Sequence, residues 1–542
     1  MEVTKDRLIN DVIQLYFQTV SPSHLASLSH EDLAAEVLTD INTKLDMENQ
    51  VRPKGRKFQL QQMLEPYQIA AVLRQRYVVV NIKVSADVKD GILGIYQETG
   101  LDCGIYSTDE ELFSKLILSL NTTMSCKQVK DTLFILQHTV DTVLCCQERN
   151  LVPVGNGIFD YDTKQLLSFS SEYVFLSKSK VDYNPGAKNV VIHNSDDNTD
   201  WDVESWMDSL DDDPAVVQLL WQILGAVVRP LVPWGRAAWF CSSTGNNGKG
   251  TLCELMRQLV GQGSVASISL SDMNREFMLE SISTVQAIIV DENDVGVYID
   301  RSANLKAIVT GDVLQVNRKY KSPVFCRFRG FMVQCMNDLP RVKDKTDSFS
   351  RRQLIVMFTK CFTGRERKYI KQDYIKRKEV LEYVLQKVLN MNYYKFDIPV
   401  SCQQALEEYQ EYNDPVRQFL NEILPVVKWD LLPFGFLHDL YVSWYRKNIG
   451  ERGEAKGTMA LTQDIINLLP AYPEWDCEDK RKQYKPVGKM DVAEPLIAEY
   501  DLEDWKNQRY ATSKDVDKMC LPVLKAHYRG LIRKSAECEE SV

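Results

Sequence analysis

The chain has 542 residues, 44% hydrophobic and 26% charged, a balance that excludes a disordered polymer and, at roughly one domain per ~150 residues, predicts three or four units. No run approaches the ~18 apolar residues of a membrane span, and the N-terminus lacks the basic start and apolar core of a secretory signal, so a cytoplasmic protein with no membrane partner is expected. The net charge of −10 argues against nucleic acid only as a sum.

Residues 1–145 mix helical and short strand patterns: a strand over 77–82, helices over 109–120 and 126–138. This predicts an N-terminal α+β domain. In 146–204 a hairpin is expected over 150–170, opened by Gly155-Asn156-Gly157 and turning near Thr163-Lys164-Gln165. Asp160-Tyr161-Asp162 has the spacing of a polymerase metal pair. Just before a tight turn, with no Cys/His zinc cluster in support, it reads as two solvated acids, and no primer synthesis is expected. Residues 191–213 hold nine acids and no Lys or Arg, and Asn194 to Asn198 read as a loop or linker. In 205–395, an apolar helix over 214–228 has Pro214 in its first turn, and a strand-loop-helix alternation then runs to about 358. Residues 301–380 carry 20 Lys+Arg against 7 Asp+Glu, a net +13: a local polyanion-binding surface or a solvated basic face. A basic amphipathic helix is expected over 368–390. Residues 396–542 read as helical to 469, with Trp429, Tyr441, Trp444 and Tyr445 among their aromatics. The 13 cysteines show no C-x-x-C pair and read as reduced thiols.

The most informative segment is the apolar run Ala237 to Cys241 followed by Ser242-Ser243-Thr244-Gly245-Asn246-Asn247-Gly248-Lys249-Gly250-Thr251. A helix follows, with Leu252, Leu255, Met256 and Leu259 at helical spacing and Gly261 to stop it. A strand, a small-residue loop and a helix N-terminus make a phosphate cradle: backbone N–H groups turn inward, and a lysine reaches the β- and γ-phosphates. Gly245, Asn246, Asn247, Gly248, Lys249, Gly250 and Thr251 are the candidate ATP-binding residues. The pattern departs from G-x-x-x-x-G-K-[ST] twice: Ser243 replaces the first glycine, and Gly250 stands where a hydroxyl usually holds Mg²⁺. Thr251 is the nearest substitute.

About forty residues on, the apolar run 284–290 ends in Asp291-Glu292, acids placed where open α/β sheets bind ligands. Asp291 suits Mg²⁺ and Glu292 the attacking water. A third strand over 330–336 ends at Asn337, whose amide suits the γ-phosphate or that water, or else an Asx-turn.

Together Gly245-Asn246-Asn247-Gly248-Lys249, Val290-Asp291-Glu292, Phe331 to Pro340 and Ser350-Arg351-Arg352 resemble a superfamily-three helicase. More closely they resemble the phage and plasmid primase-helicases related to the poxvirus primase-helicase, a group that includes replication proteins of phage satellites and staphylococcal cassette chromosomes. Lys306 to Asp312 followed by Arg318-Lys319-Tyr320-Lys321 is similar to that family's extra motif between its second and third ATPase motifs. The resemblance implies an α/β fold with a central AAA+ P-loop domain and a mainly α, winged-helix-like C-terminal domain. It implies a homo-hexamer translocating 3′ to 5′ on single-stranded or forked DNA, driven by ATP and Mg²⁺, in a bacterial host. Arg351 or Arg352 would act on the neighbouring subunit's ATP, and Arg318, Lys319, Tyr320 and Lys321 would form a channel hairpin. Cations with an aromatic are what sequence-tolerant single-strand binding uses. Lys480-Arg481-Lys482-Gln483-Tyr484-Lys485 is a candidate wing, origin DNA a candidate ligand, and a primase a candidate partner. Two other readings stay open: an AAA+ origin-binding initiator or loader without processive unwinding, and, from Lys249-Gly250-Thr251, a nucleotide kinase.

Overall fold

The computed structural model describes residues 4–86, 88, 91–319, 321–448, 455–510 and 515–534, which divide into two units, Met1–Ala405 and Leu406–Val542. Among the described residues no helix is long and apolar enough to cross a membrane.

The first unit begins with helices whose apolar residues recur every four positions. In His30–Val51, Leu33, Val37, Ile41 and Leu45 form one buried stripe behind the N-cap Ser29. Helices Glu110–Leu120 and Cys126–Thr139 lie within a residue of expectation, capped by Asp109 and Ser125. They pack with strand Val79–Lys83, the middle of a mixed sheet ordered Tyr106–Ser107, Ile92–Tyr96, Val79–Lys83, Thr142–Leu144. This segment is α+β, as its mixed periodicity predicts.

The expected hairpin at 150–170 is a three-stranded antiparallel meander, Leu151–Val154, Gly157–Asp160 and Gln165–Leu167. Gly155-Asn156 is itself the first tight turn, because Val154 pairs directly with Gly157. Lys164, at φ 59°, makes the second. Nor is the acidic stretch plain linker. Ile192–Asn194 pairs with Thr199–Trp201, and buried Ile192 and Trp201 tie this small hairpin into the main core. The acids sit on its outside and in its turn, a division the charge count does not reveal.

Helix Pro214–Val228 matches expectation, with Asp213 accepting the Ala215 N–H at 2.9 Å. Beyond it five strands form an all-parallel sheet ordered Val265–Ala266, Ala287–Val290, Phe331–Met336, Ala237–Cys241, Gln353–Met357. The strand ending at Asn337 therefore lies between the P-loop strand and the strand ending at the two acids. The chain crosses over the sheet in opposite directions from that point, and such a switch is where open α/β sheets bind ligands. The basic helix expected over 368–390 is broken: Lys368–Gln372, a 3-10 turn Tyr374–Lys376, then Lys378–Asn390.

One buried charge fastens the meander to this body. Arg229 is 1% exposed, and its guanidinium lies 3.4 Å from the Tyr161 ring centre, with Tyr394, Tyr393 and Trp234 at 4.7–5.2 Å. It donates to the Tyr393 carbonyl at 2.9 Å. Aromatic faces offset part of its desolvation.

The second unit runs helix Pro415–Ile423, strand Leu431–Pro433, helices Phe434–Asn448 and Thr458–Leu468, then strands Trp475–Asp476 and Gly530–Arg533. The strands make one antiparallel sheet with Gly530–Arg533 in the middle. Trp429, Phe436, Tyr441 and Trp444 fill its core. The fully buried Glu494 accepts the backbone N–H groups of Lys428, Trp429 and Leu496, fixing the long connection between the last two strands.

Arg229→Ala is expected to lower the stability of the first unit by about 2–4 kcal/mol, the worth of a desolvated cation–aromatic cage plus its packing. Arg229→Lys should recover little, because an ammonium cannot lie flat on the rings. Thermal unfolding of the full chain reads both.

Candidate active site

The P-loop strand Ala237–Cys241 is buried throughout and delivers the chain to its C-terminal edge at Ser242. The loop then turns on two left-handed residues, Asn246 at φ 53° and Gly248 at φ 87°. A Cβ on Gly248 would stand 2.5 Å from Leu210 Cδ2, so both backbone and space demand glycine there. Ser242 Oγ donates to the Thr244 carbonyl at 2.9 Å, Asn247 Nδ2 donates to the same oxygen, and Asn247 Oδ1 accepts the Lys249 N–H at 3.3 Å. A strap from beyond the last strand holds the outside: Asn246 O accepts the Phe362 N–H at 2.8 Å, and Asn246 Nδ2 donates to Glu366 Oε1 at 2.9 Å. Gly245 has open space where a side chain would be, Gly250 follows Lys249, and Thr251 stands in the first turn of helix Lys249–Val260.

Lys249 is 6% exposed, and its Nζ has no hydrogen-bond partner among the described residues. Burial lowers its pKa. Around it lie the Cys241, Cys253 and Cys335 sulfurs and, farther out, Glu292. Burial pushes the Cys241 thiol up, and contact with Cys335 at 3.3 Å pushes the Cys253 thiol up, so neither of these two offers the ammonium a countercharge. An unpaired buried ammonium costs several kcal/mol, and the positive end of a helix beside it adds to the attraction for an anion.

The two acids follow the strand end at Val290 and find different partners. Asp291 is gripped through both oxygens by Arg257 of the P-loop helix, at 2.7 and 3.1 Å. Glu292 is the acid whose charge Lys249 feels, and its Oε1 accepts Asn337 Nδ2 at 3.3 Å. The structure therefore brings Lys249, Glu292 and Asn337 to one edge and holds Asp291 against Arg257. Sequence reasoning missed Arg257, whose only signal is its place one helix face below Lys249. It also missed Asn293. That buried amide accepts the Leu270 N–H at 2.9 Å and donates to Gln334 Oε1 and the Cys335 carbonyl, locking the acid strand to its neighbour. Among the described residues no group of three or more His, Cys, Asp or Glu could hold a metal alone. Mg²⁺ takes one or two carboxylates plus substrate phosphates, and the hydroxyl and carboxylate oxygens here are its kind of donor.

The twin arginines separate. Arg352 Nη1 donates to the Ser348 carbonyl and, at 2.9 Å, to Ser348 Oγ. Arg351 keeps a 61% exposed side chain, with Asp347 4.0 Å away. Both precede Gln353–Met357, whose first residue pairs with Ala237 and whose last pairs with Cys241. They stand at the opposite edge of the sheet from the phosphate loop, about 13 Å away along the strand. Neither belongs to the site of its own chain.

Strands Val313–Arg318 and Lys321–Arg327 form the expected hairpin, with Arg318 opposite Lys321 and Lys319 entering the two-residue turn. Tyr320 and the side chain of Lys321 lie outside the described residues. In the second unit the run 480–485 lies in the connection between the last two strands, with Lys482 paired to Glu478.

Three family models match the chain. A family of unknown function (DUF5906) covers 240–352, from the P-loop strand to the arginine pair. A "D5 N terminal like" model covers 74–212, and a "Poxvirus D5 protein-like" model covers 411–507. Segments on both sides of the glycine-rich loop are thus similar to D5 models. No curated protein matches the sequence. Among solved structures, the apo C-terminal region of NrS-1 aligns with this chain at 14% identity and a TM-score of 0.43, over 78% of this chain and 98% of that one. A JCV helicase aligns at 13% and 0.26, over 38% and 58%.

Arg352→Ala is expected to lower stability by about 1–2 kcal/mol, and Arg351→Ala to change it by less than about 0.5 kcal/mol. Chemical denaturation of the two variants checks the assignment of Arg352 to structure.

Proposed function

We propose that this chain is an ATP-driven DNA helicase that starts replication of a phage or related mobile element, working as a homo-hexameric ring. The observation that carries the reading is the buried, partnerless ammonium of Lys249 at the mouth of a glycine-rich loop, with Glu292 and Asn337 converging on the same edge. D5-like segments on both sides of that loop support a replication role.

Lys249 and the loop residues Gly245, Asn246, Asn247, Gly248, Gly250 and Thr251 grip the triphosphate. Glu292 orients and deprotonates the attacking water, with Asn337 holding its carboxylate. The Thr251 hydroxyl and Asp291 would hold Mg²⁺, which when bound supplies charge neutralisation at the phosphates. Asp291 takes part through the lone pairs that Arg257 leaves open, since an ionised carboxylate has about four acceptor positions. Arg351, exposed and a strand's length from its own loop, acts on the ATP of an adjoining subunit, where a guanidinium is worth ~10³–10⁵ in rate. The hairpin at 313–327 carries Arg318, Lys319, Tyr320 and Lys321 into the channel to track single-stranded DNA 3′ to 5′. The second unit starts helix-strand-helix-helix-strand and, after a long connection holding the short helices Leu496–Glu499 and Val516–Met519, closes its antiparallel sheet with Gly530–Arg533, an order that supports a winged-helix-like DNA-binding domain with 480–485 in its wing.

The full chain with ATP and Mg²⁺ is expected to displace a strand from forked DNA. Origin remodelling without displacement would favour the loader, and phosphoryl transfer to a nucleoside monophosphate without DNA the kinase. Mixing Lys249→Ala chains with Arg351→Ala chains, each inactive alone, should restore hydrolysis where an intact loop meets an intact arginine. If mixtures stay inactive, the shared site is wrong.

A further inference from the structure

The loop departs from the common pattern at Gly250, where a serine or threonine usually stands. Its surroundings supply a reason. A Cβ on Gly250 would lie 3.3 Å from Lys371 Nζ, closer than such atoms ordinarily approach. Lys371 sits on the short helix Lys368–Gln372, which follows the strap that bonds Asn246. This helix is anchored by buried Ile370 and by Tyr369, whose hydroxyl donates to Asp197 Oδ2 at 2.7 Å. Lys371 itself is exposed, and its ammonium stands beside the first turn of helix Lys249–Val260, one residue along from the buried Lys249. Among the described residues no acid is bonded to either lysine, and the helix N-terminus adds partial positive charge, so this corner attracts a multivalent anion.

We propose that Lys371 is a second phosphate-binding residue of the same chain, and that Gly250 is glycine to leave room for its ammonium. The pair exchanges the usual hydroxyl at this position for a positive charge, favouring a ligand with several phosphate charges: a nucleoside triphosphate over the diphosphate. This rests on the nucleotide-binding reading above.

The test measures binding of fluorescent ATP and ADP analogues to the full chain, together with the unfolding midpoint with and without nucleotide. Lys371→Ala should weaken ATP binding about tenfold and ADP binding less, with an unchanged midpoint in the absence of nucleotide. Lys371→Arg should keep most of the affinity. Gly250→Ser should weaken ATP binding several-fold alone, yet add nothing in the Lys371→Ala background, because the two changes then remove one interaction. Wild-type ATP affinity in Lys371→Ala, with Lys249→Ala abolishing binding, would overturn the role of Lys371 and leave the nucleotide site standing. Unchanged binding in Lys249→Ala would overturn both.

Discussion

The architecture around the central sheet is arranged about one uncompensated charge. Lys249 is carried into the protein by the first turn of a helix, and its ammonium meets neutral thiols instead of an acid. Nothing in the packing requires a cation there; an apolar residue would suit the Cys241, Cys253 and Cys335 surroundings better. The left-handed turn at Gly248, the Asn247 bonds and the strap on Asn246 hold the loop beside Lys249 in one shape. Under the proposed function, an entering phosphate offsets the cost of burying the charge.

The sheet order explains why the other groups converge on that charge. The strand ending in Asn337 is inserted between the P-loop strand and the acid strand, so a single amide can bond Glu292 while facing the loop. Asn293 makes the spacing rigid through bonds to both neighbours. The same parallel arrangement sends Arg351 to the far edge, away from the loop of its own chain. Under the proposed function, that separation is what lets the arginine of one subunit complete the site of the next.

Much of this was legible in the sequence where a signal is local. The strand-loop-helix grammar located the glycine-rich loop between Ala237–Cys241 and Lys249–Val260, Pro214 located the start of the apolar helix, and the family resemblance located the basic hairpin. Local signals failed where a residue's partner is distant. Asp291 reads as an unengaged carboxylate until Arg257, 34 positions away, is seen to bond both its oxygens. Arg229 carries no signal in the sequence, because the Tyr161, Tyr393 and Tyr394 rings that close around it come from distant segments. The acidic stretch around Asn194 to Asn198 reads as loop or linker because the nine acids of 191–213 mask the buried anchors that flank it, Ile192 and Trp201 among them. The two arginines at 351 and 352 are equivalent in sequence and become distinct only because Ser348 captures one.

The central claim is that Lys249 is held ready for phosphate, and calorimetric titration of a non-hydrolysable ATP analogue tests it most directly. Titrated into the full chain with Mg²⁺, the analogue should bind at one site per chain. Replacing Lys249 by methionine, which suits the apolar surroundings, should leave the fold as stable or more so while reducing affinity at least a hundredfold, the loss of a desolvated charge-assisted contact. Undiminished binding in Lys249→Met, or a variant less stable than the natural chain, would contradict the account.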